Sequence, residues 1–222
     1  MNTSSPHTVP RVPRRAEIAA ATVGVLHRGA SNKADLLLVD LGDGAMVVKD
    51  FASKPWWTRL LGRVQIGREA AAYRHLEGVE GVPRFFGRVD AHAIAIERID
   101  GQQLAFAPDR FERGAGYVEK LRALVSGLHA RGLVHNDLRG RENVLVRADG
   151  SLVVVDLAAA LRLDPRGVPF RLLAAADRAA LLKWKALLAP DTFTDEERAF
   201  VERFARWRRL WPFNRKARRG EA

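Results

Sequence analysis

Ala19–Leu26 and Ala34–Leu41 are short, largely apolar runs separated by the polar stretch His27–Lys33, and an Asp43-Gly44 pair leads into a third apolar run, Ala45–Lys49. Short apolar runs bounded by polar turns, with Asp-Gly between the last two, mark antiparallel strands joined by a hairpin. Three strands are therefore expected before any helix. The helical period then appears in Gln65–Leu76, which carries Ala70, Ala71, Ala72, Tyr73 and Leu76. After a loop at Gly78–Pro83, Arg84–Val89 and Ala91–Glu97 return to the strand pattern.

Further along, Arg110–Arg131 places Tyr117, Leu121, Leu124, Val125 and Leu128 on one helical face. Arg131-Gly132 closes it, with a cation in the last turn and glycine just beyond. Two short apolar strands follow, Val144–Val146 and Leu152–Val155, joined by a turn at Asp149-Gly150. A helix over Leu172–Leu188 comes next. The last helix opens on Thr194-Asp195-Glu196-Glu197, a capping-box pattern.

The chemistry concentrates between the long helix and the second short strand. His135-Asn136-Asp137 begins a polar loop that reaches Asn143, and the strand after the Asp149-Gly150 turn ends on Asp156. The hairpin is expected to bring Asp137, Asn143 and Asp156 to one edge. There, hard oxygen ligands suit Mg²⁺, and a carboxylate suits a hydroxyl proton. That is the layout of a phosphoryl-transfer site.

Composition narrows the alternatives. The sequence has 222 residues, 47% of them hydrophobic, enough for one substantial domain or two joined lobes. With no cysteine, disulfides and thiolate metal sites are excluded. The formal net charge of +11 raises nucleic acid or an anionic membrane as partners. Its excess sits at the ends: Arg11, Arg14 and Arg15 near the start, and nine Arg or Lys against Glu202 and Glu221 between Arg198 and Ala222. No recognisable nucleic-acid module accompanies the basic tail, so a nucleic-acid partner is not expected. The first fifteen residues lack the apolar run of a secretory signal and read as a disordered basic lead-in. No apolar run approaches the roughly 18 residues of a membrane span. A cytoplasmic protein is expected, with peripheral contact at the inner face of the cytoplasmic membrane.

In the His135…Asp137…Asn143 loop and in Asp156-Leu157-Ala158, the chain resembles the protein-kinase-like superfamily, with its HxD…N catalytic loop and DFG position. The resemblance implies an α+β, two-lobed kinase-like fold with an antiparallel N-lobe sheet and a short helical C-lobe. The expected boundaries are 1–15 for the lead-in, 16–98 for the N-lobe, 99–193 for the C-lobe, and 194–222 for a basic aromatic helix and tail. ATP and Mg²⁺ are the implied cofactors. Asp137 is then the catalytic base, with Asn143 and Asp156 as metal ligands and His135 as a structural member of the loop. Lys49 contacts the nucleotide phosphates and Glu69 orients it. Gly29, Ser31, Asn32 and Lys33 form the loop over the phosphates, and Glu97 and Ile99 lie at the adenine hinge. Asp177 is the candidate for holding the catalytic-loop backbone.

Departures from the superfamily pattern point to a branch. Asp137 and Asn143 are six residues apart where the common loop has five, so either Asn143 or Glu142 faces the metal. The phosphate loop lacks GxGxxG, and Ala158–Arg171 is too short for a long activation segment. In its HNDL loop and short C-lobe the chain is similar to compact bacterial lipopolysaccharide-core (Kdo/WaaP-type) and RIO-like kinases, over roughly Val23–Leu188. That similarity implies a sugar or lipid-linked hydroxyl as acceptor. Lys54–Arg63, with two tryptophans among basic residues, either packs on the N-lobe or lies at a membrane interface. Phe200, Phe204, Trp207 and Trp211, spaced four, three and four apart among arginines, pose the same choice between the C-lobe and anionic lipid. The competing expectations are a RIO-like atypical protein kinase or ATPase, and a membrane-associated pseudokinase scaffold.

Overall fold

The computed structural model describes residues 10–30 and 32–209, with side chains to 206. The chain divides into two compact units, Met1–Gln102 with Leu145–Arg162, and Gln103–Val144 with Leu163–Ala222. The first boundary lies at Gln102, against an expected lobe limit at 98. The segment carrying Asp156, expected with 99–193, groups with the first unit.

The first unit is built on a five-stranded antiparallel sheet. Its strands are β1 (Thr22–His27), β2 (Asp35–Asp40), β3 (Ala45–Asp50), β4 (Phe85–Arg88) and β5 (Ala93–Glu97), in the order β1-β2-β3-β5-β4. β3 is central, pairing Val48 with Leu37 on one side and with Ala95 on the other. Val39, Met46, Val48, Ala93 and Ala95 form the buried core of this sheet together with Ile18. The later segment Leu145–Arg162 joins the same unit, where the Val154 N–H donates to the Gly81 carbonyl at 2.9 Å.

Ala19–Ala21, expected at the start of the first strand, instead end helix α1 (Arg15–Ala21). The alanine run favours helix over strand, and α1 buries Ile18 in the sheet's core. Arg15, at the end of the expected lead-in, ties this helix to Asp50 and Asp90.

The next helix is longer than its apolar pattern suggested. α2 runs from Trp56 to His75, starting directly after Pro55. Its buried positions Thr58, Gly62, Ile66, Glu69, Ala70 and Tyr73 trace one continuous stripe. The adjacent tryptophans belong to its first turn.

The second unit is helical. α3 (Gly114–Ala130), α4 (Val168–Leu188) and α5 (Asp195–Arg209) match the three expected helices, with ends shifted by a few residues. Tyr117, Leu121, Val125 and Leu128 supply the buried face of α3. The capping box of α5 is formed as its sequence implied. The Glu197 N–H donates to Thr194 Oγ1 at 3.2 Å, and the Thr194 N–H donates back to Glu197 Oε2 at 3.0 Å. Phe200 of α5 lies under the guanidinium of Arg178 on α4, 4.4 Å from its ring centre. The Trp207 side chain, Trp211 and the basic residues after it lie outside the described residues.

Candidate active site

Central strand β3 delivers Lys49 into the interior of the first unit, where only 6% of the residue is exposed. A buried ammonium needs a carboxylate partner. It has two. Lys49 Nζ donates to Glu69 Oε1 at 2.6 Å and to Asp156 Oδ1 at 2.7 Å. Glu69 comes from the inward stripe of α2 and is fully buried. Burial by itself pulls the Lys49 ammonium toward neutrality, but Glu69 and Asp156 outweigh it, and the pKa stands above the ordinary lysine value. The lysine is thus held as a charged, fixed point.

Asp156 is the more exposed member, with 44% of its side chain in solvent. Its backbone is left-handed, at φ 64° and ψ 77°, and its carboxylate also accepts from the Ala158 N–H at 3.3 Å. Among the described residues the only non-glycine positions at positive φ are Asn136 and Asp156. Such conformations cost on the order of 1–3 kcal/mol and gather at functional sites. Here one adjoins the candidate base Asp137, and the other is the candidate metal ligand.

The loop between β1 and β2 is held by a cluster around Asp35. The Gly29 N–H donates to Asp35 Oδ1 at 3.0 Å, and Lys54 Nζ donates both to the Gly29 carbonyl at 2.8 Å and to Asp35 Oδ1 at 2.6 Å. Ser53 Oγ completes the cluster by donating to Asp35 Oδ2 at 2.6 Å. Gly29 therefore frames the loop, with both backbone groups already engaged. The Lys33 N–H closes a turn on the Ala30 carbonyl at 2.9 Å, which leaves Asn32 and the Lys33 side chain exposed on the tip. Ser31 lies outside the described residues. Sequence reasoning passed over Asp35, Ser53 and Lys54. The available signal was an aspartate at a strand's buried first position.

At the expected hinge, the Glu97 carboxylate accepts from the Arg84 N–H at 2.9 Å and from Arg147 Nη2 at 3.3 Å. Its own N–H donates to the Arg84 carbonyl at 2.8 Å. The Glu97 side chain is thus a structural clip. Ile99, two residues on, is half-buried.

In the second unit, one carboxylate organises the loop that carries Asp137. Asp177, on α4 and 1% exposed, accepts from the His135 N–H at 2.8 Å, from the Asn136 N–H at 2.8 Å, and lies 3.0 Å from His129 Nε2. The role expected of Asp177 is the one it has. Two turns along the same helix, Trp184 Nε1 donates to the Leu138 carbonyl at 2.8 Å, a contact the sequence did not announce. His135 is fully buried, and its Nδ1 faces the Asp137 N–H at 3.3 Å.

The longer loop left Asn143 and Glu142 as alternatives, and the two differ in their surroundings. Asn143 is buried in a short 3₁₀ turn, Arg141–Asn143, while Glu142 is exposed. Asn143 Nδ2 donates to the Asp137 carbonyl at 2.8 Å and to Asp137 Oδ2 at 3.2 Å. With its amide nitrogen committed in this way, Asn143 presents a carbonyl oxygen, the donor type Mg²⁺ prefers. Asp137 is exposed and held in orientation by the same amide.

Among the described residues no three His, Cys, Asp or Glu side chains gather to hold a metal by themselves. Mg²⁺ is commonly held by one or two protein oxygens together with substrate phosphates and water. Asp156 and Asn143 are oxygen donors of the right kind.

No protein-family model matches the sequence, and no curated protein matches it. Solved structures do. The chain is similar to the crystal structure of the Rio2 kinase–ADP/Mg²⁺–phosphoaspartate complex from Chaetomium thermophilum, at 17% identity and a TM-score of 0.58, over 88% of this chain and 74% of that one. It is similar to the Rio2 kinase from the same organism at 17% identity and a TM-score of 0.57, over 88% and 76% of the two chains. What is shared at this identity is the architecture: the chain has the α+β protein-kinase-like fold.

Proposed function

We propose that the protein is an ATP- and Mg²⁺-dependent phosphotransferase that moves the γ-phosphoryl group of ATP to a hydroxyl. The observation that carries this is the buried Lys49, fixed between Glu69 at 2.6 Å and Asp156 at 2.7 Å. A lysine sequestered in this way serves no surface role, and its charge is held for an anion. In this proposal Lys49 contacts the nucleotide phosphates and Glu69 holds it there. Asp156 and Asn143 would hold Mg²⁺, which when bound neutralises charge on the phosphates. Asp137 orients the acceptor hydroxyl and takes its proton. A new bond forms between that oxygen and the γ-phosphorus, the bridging bond to the β-phosphate breaks, and ADP leaves with the electron pair.

The acceptor we propose is a sugar or lipid-linked hydroxyl at the cytoplasmic face of a membrane. Support comes from the short connection after Asp156, where only residues 160–167 separate the 3₁₀ turn Leu157–Ala159 from α4. So short a connection offers little to dock a peptide. A RIO-like ATPase or protein kinase is the second reading, favoured by the fold likeness to a Rio2 complex that contains phosphoaspartate.

Incubation with γ-labelled ATP separates these readings. Transfer of label to a sugar or glycolipid, lost in Asp137→Asn, is the expected result. Label retained on the protein in a hydroxylamine-labile bond would select the ATPase reading, because an acyl phosphate is cleaved by that nucleophile. No turnover of ATP with any acceptor would overturn both.

A further inference from the structure

Helix α2 has two faces of opposite kind. The inward stripe carries Thr58, Gly62, Ile66 and Glu69, and Gly62 sits so close to Phe51 that a Cβ there would lie 2.5 Å from the ring. On the opposite side, the first two and a half turns present Trp56, Trp57, Leu60, Leu61 and Val64, each between 45% and 77% exposed. Isolated exposed hydrophobes are ordinary. Five gathered on one helical face are the mark of an interaction surface. Beyond Val64 the same face turns polar at Arg68.

The charges around this face identify its partner. Arg59 and Arg63 border the apolar strip and are exposed, Arg68 follows at its end, and no acidic residue occurs between Phe51 and Arg68. The first turn of α2 contains no acidic side chain to offset the positive end of the helix dipole. Paired tryptophans have apolar rings and a polar N–H, which suits the boundary between lipid headgroups and acyl chains. Arginines beside them suit anionic headgroups.

We propose that the N-terminal half of α2 is a membrane-docking face for a bilayer rich in anionic lipid, with the tryptophans and leucines inserted and the arginines at the phosphates. It deepens the phosphotransferase proposal by locating the acceptor at a bilayer, and it rests on that proposal for this link alone.

The test uses the full chain without nucleotide, sedimented with vesicles of phosphatidylcholine alone or with about 30% phosphatidylglycerol to supply the anionic surface. Binding to the anionic vesicles only is expected. Leu60→Ser with Leu61→Ser should weaken it about tenfold, as expected from withdrawing two partly inserted side chains. Arg59→Gln with Arg63→Gln should weaken it about thirtyfold, at roughly 1 kcal/mol for each cation near the surface. Circular dichroism and the Mg²⁺-ATP thermal shift of these variants should match wild type, which shows that they fold and that the nucleotide site is a separate matter. Equal binding to neutral vesicles, no binding to either, or binding abolished by deleting 210–222 and unaffected by the face variants would overturn the proposal. Concentration-dependent dimers dispersed by Leu60→Ser/Leu61→Ser would overturn it too, assigning the face to a second copy. Vesicle binding without ATP turnover would leave the docking face standing and refute the phosphotransferase.

Discussion

Replacing Asp35 should loosen the loop that precedes β2, and the size of the effect follows from its contacts. The carboxylate is 4% exposed and accepts three hydrogen bonds, from the Gly29 N–H, Lys54 Nζ and Ser53 Oγ. Asp35→Ala leaves the Lys54 ammonium, whose side chain is 11% exposed, with the Gly29 carbonyl as its remaining partner here. Removing one member of a buried pair costs about 3–5 kcal/mol. The flexible lysine stem can swing its charge toward water, so about 3 kcal/mol is expected. For a chain of this size that is a fall in Tm of roughly 6–12 °C. Asp35→Asn keeps the shape and one acceptor oxygen and should lose about half as much.

The double variant Asp35→Ala/Lys54→Ala should be less destabilised than the sum of the two single variants by at least about 1 kcal/mol, since each single variant strands the other's charge. Urea unfolding of the four proteins measures this. Burial pushes the Asp35 carboxyl up, but its hydrogen bonds outweigh burial and hold it below the usual carboxylate range. Its stabilisation is therefore present above about pH 3.8 and is lost as the pH falls through the depressed native value. The gap between wild type and Asp35→Asn should close in acid. A loss below about 1 kcal/mol for Asp35→Ala, or additivity within about 0.5 kcal/mol, would refute the clamp.

Two glycines of α2 should respond in opposite directions. Gly67→Ala meets nothing within 4 Å and should stabilise by up to about 1 kcal/mol through helix propensity, whereas Gly62→Ala drives a methyl into Phe51 and should lower the Tm. Asp177→Ala removes the acceptor for two backbone N–H groups of the catalytic loop and should cost about 3 kcal/mol or more by thermal unfolding, with turnover lost even where the protein stays folded. Trp184→Phe keeps the packing and removes one hydrogen bond to the Leu138 carbonyl. A loss of about 1–2 kcal/mol in urea unfolding is expected.

Much of this fold was legible because the strands are short apolar runs and the Asp43-Gly44 and Asp149-Gly150 turns fix their ends. The Lys49–Glu69 pair was legible through the resemblance to the protein-kinase-like superfamily, which implies a strand lysine oriented by a helical glutamate. Three things were not. The alanine run at 19–21 alternates with nothing and fits a strand as readily as the end of α1, until Ile18 is seen in the core. The first half of α2 was hidden because its outward face is as apolar as its inward one, which erases the amphipathic period. The Asp35–Lys54–Gly29 cluster joins residues that no local spacing links, so only the folded chain brings them together. The left-handed backbones at Asn136 and Asp156 are of the same kind, since neither residue type demands positive φ.

The central claim is that Lys49, Glu69 and Asp156 form a metal–nucleotide site, and the thermal shift with Mg²⁺-ATP tests it most directly. Asp156→Asn is the informative partner, because asparagine tolerates the left-handed backbone at φ 64° while removing the anionic ligand. At about a hundredfold its Kd, the nucleotide should stabilise the wild-type protein by roughly 2.7 kcal/mol. The shift should require Mg²⁺ and be largely absent in Asp156→Asn. No shift at millimolar ATP, or an equal shift in the variant, would contradict the site.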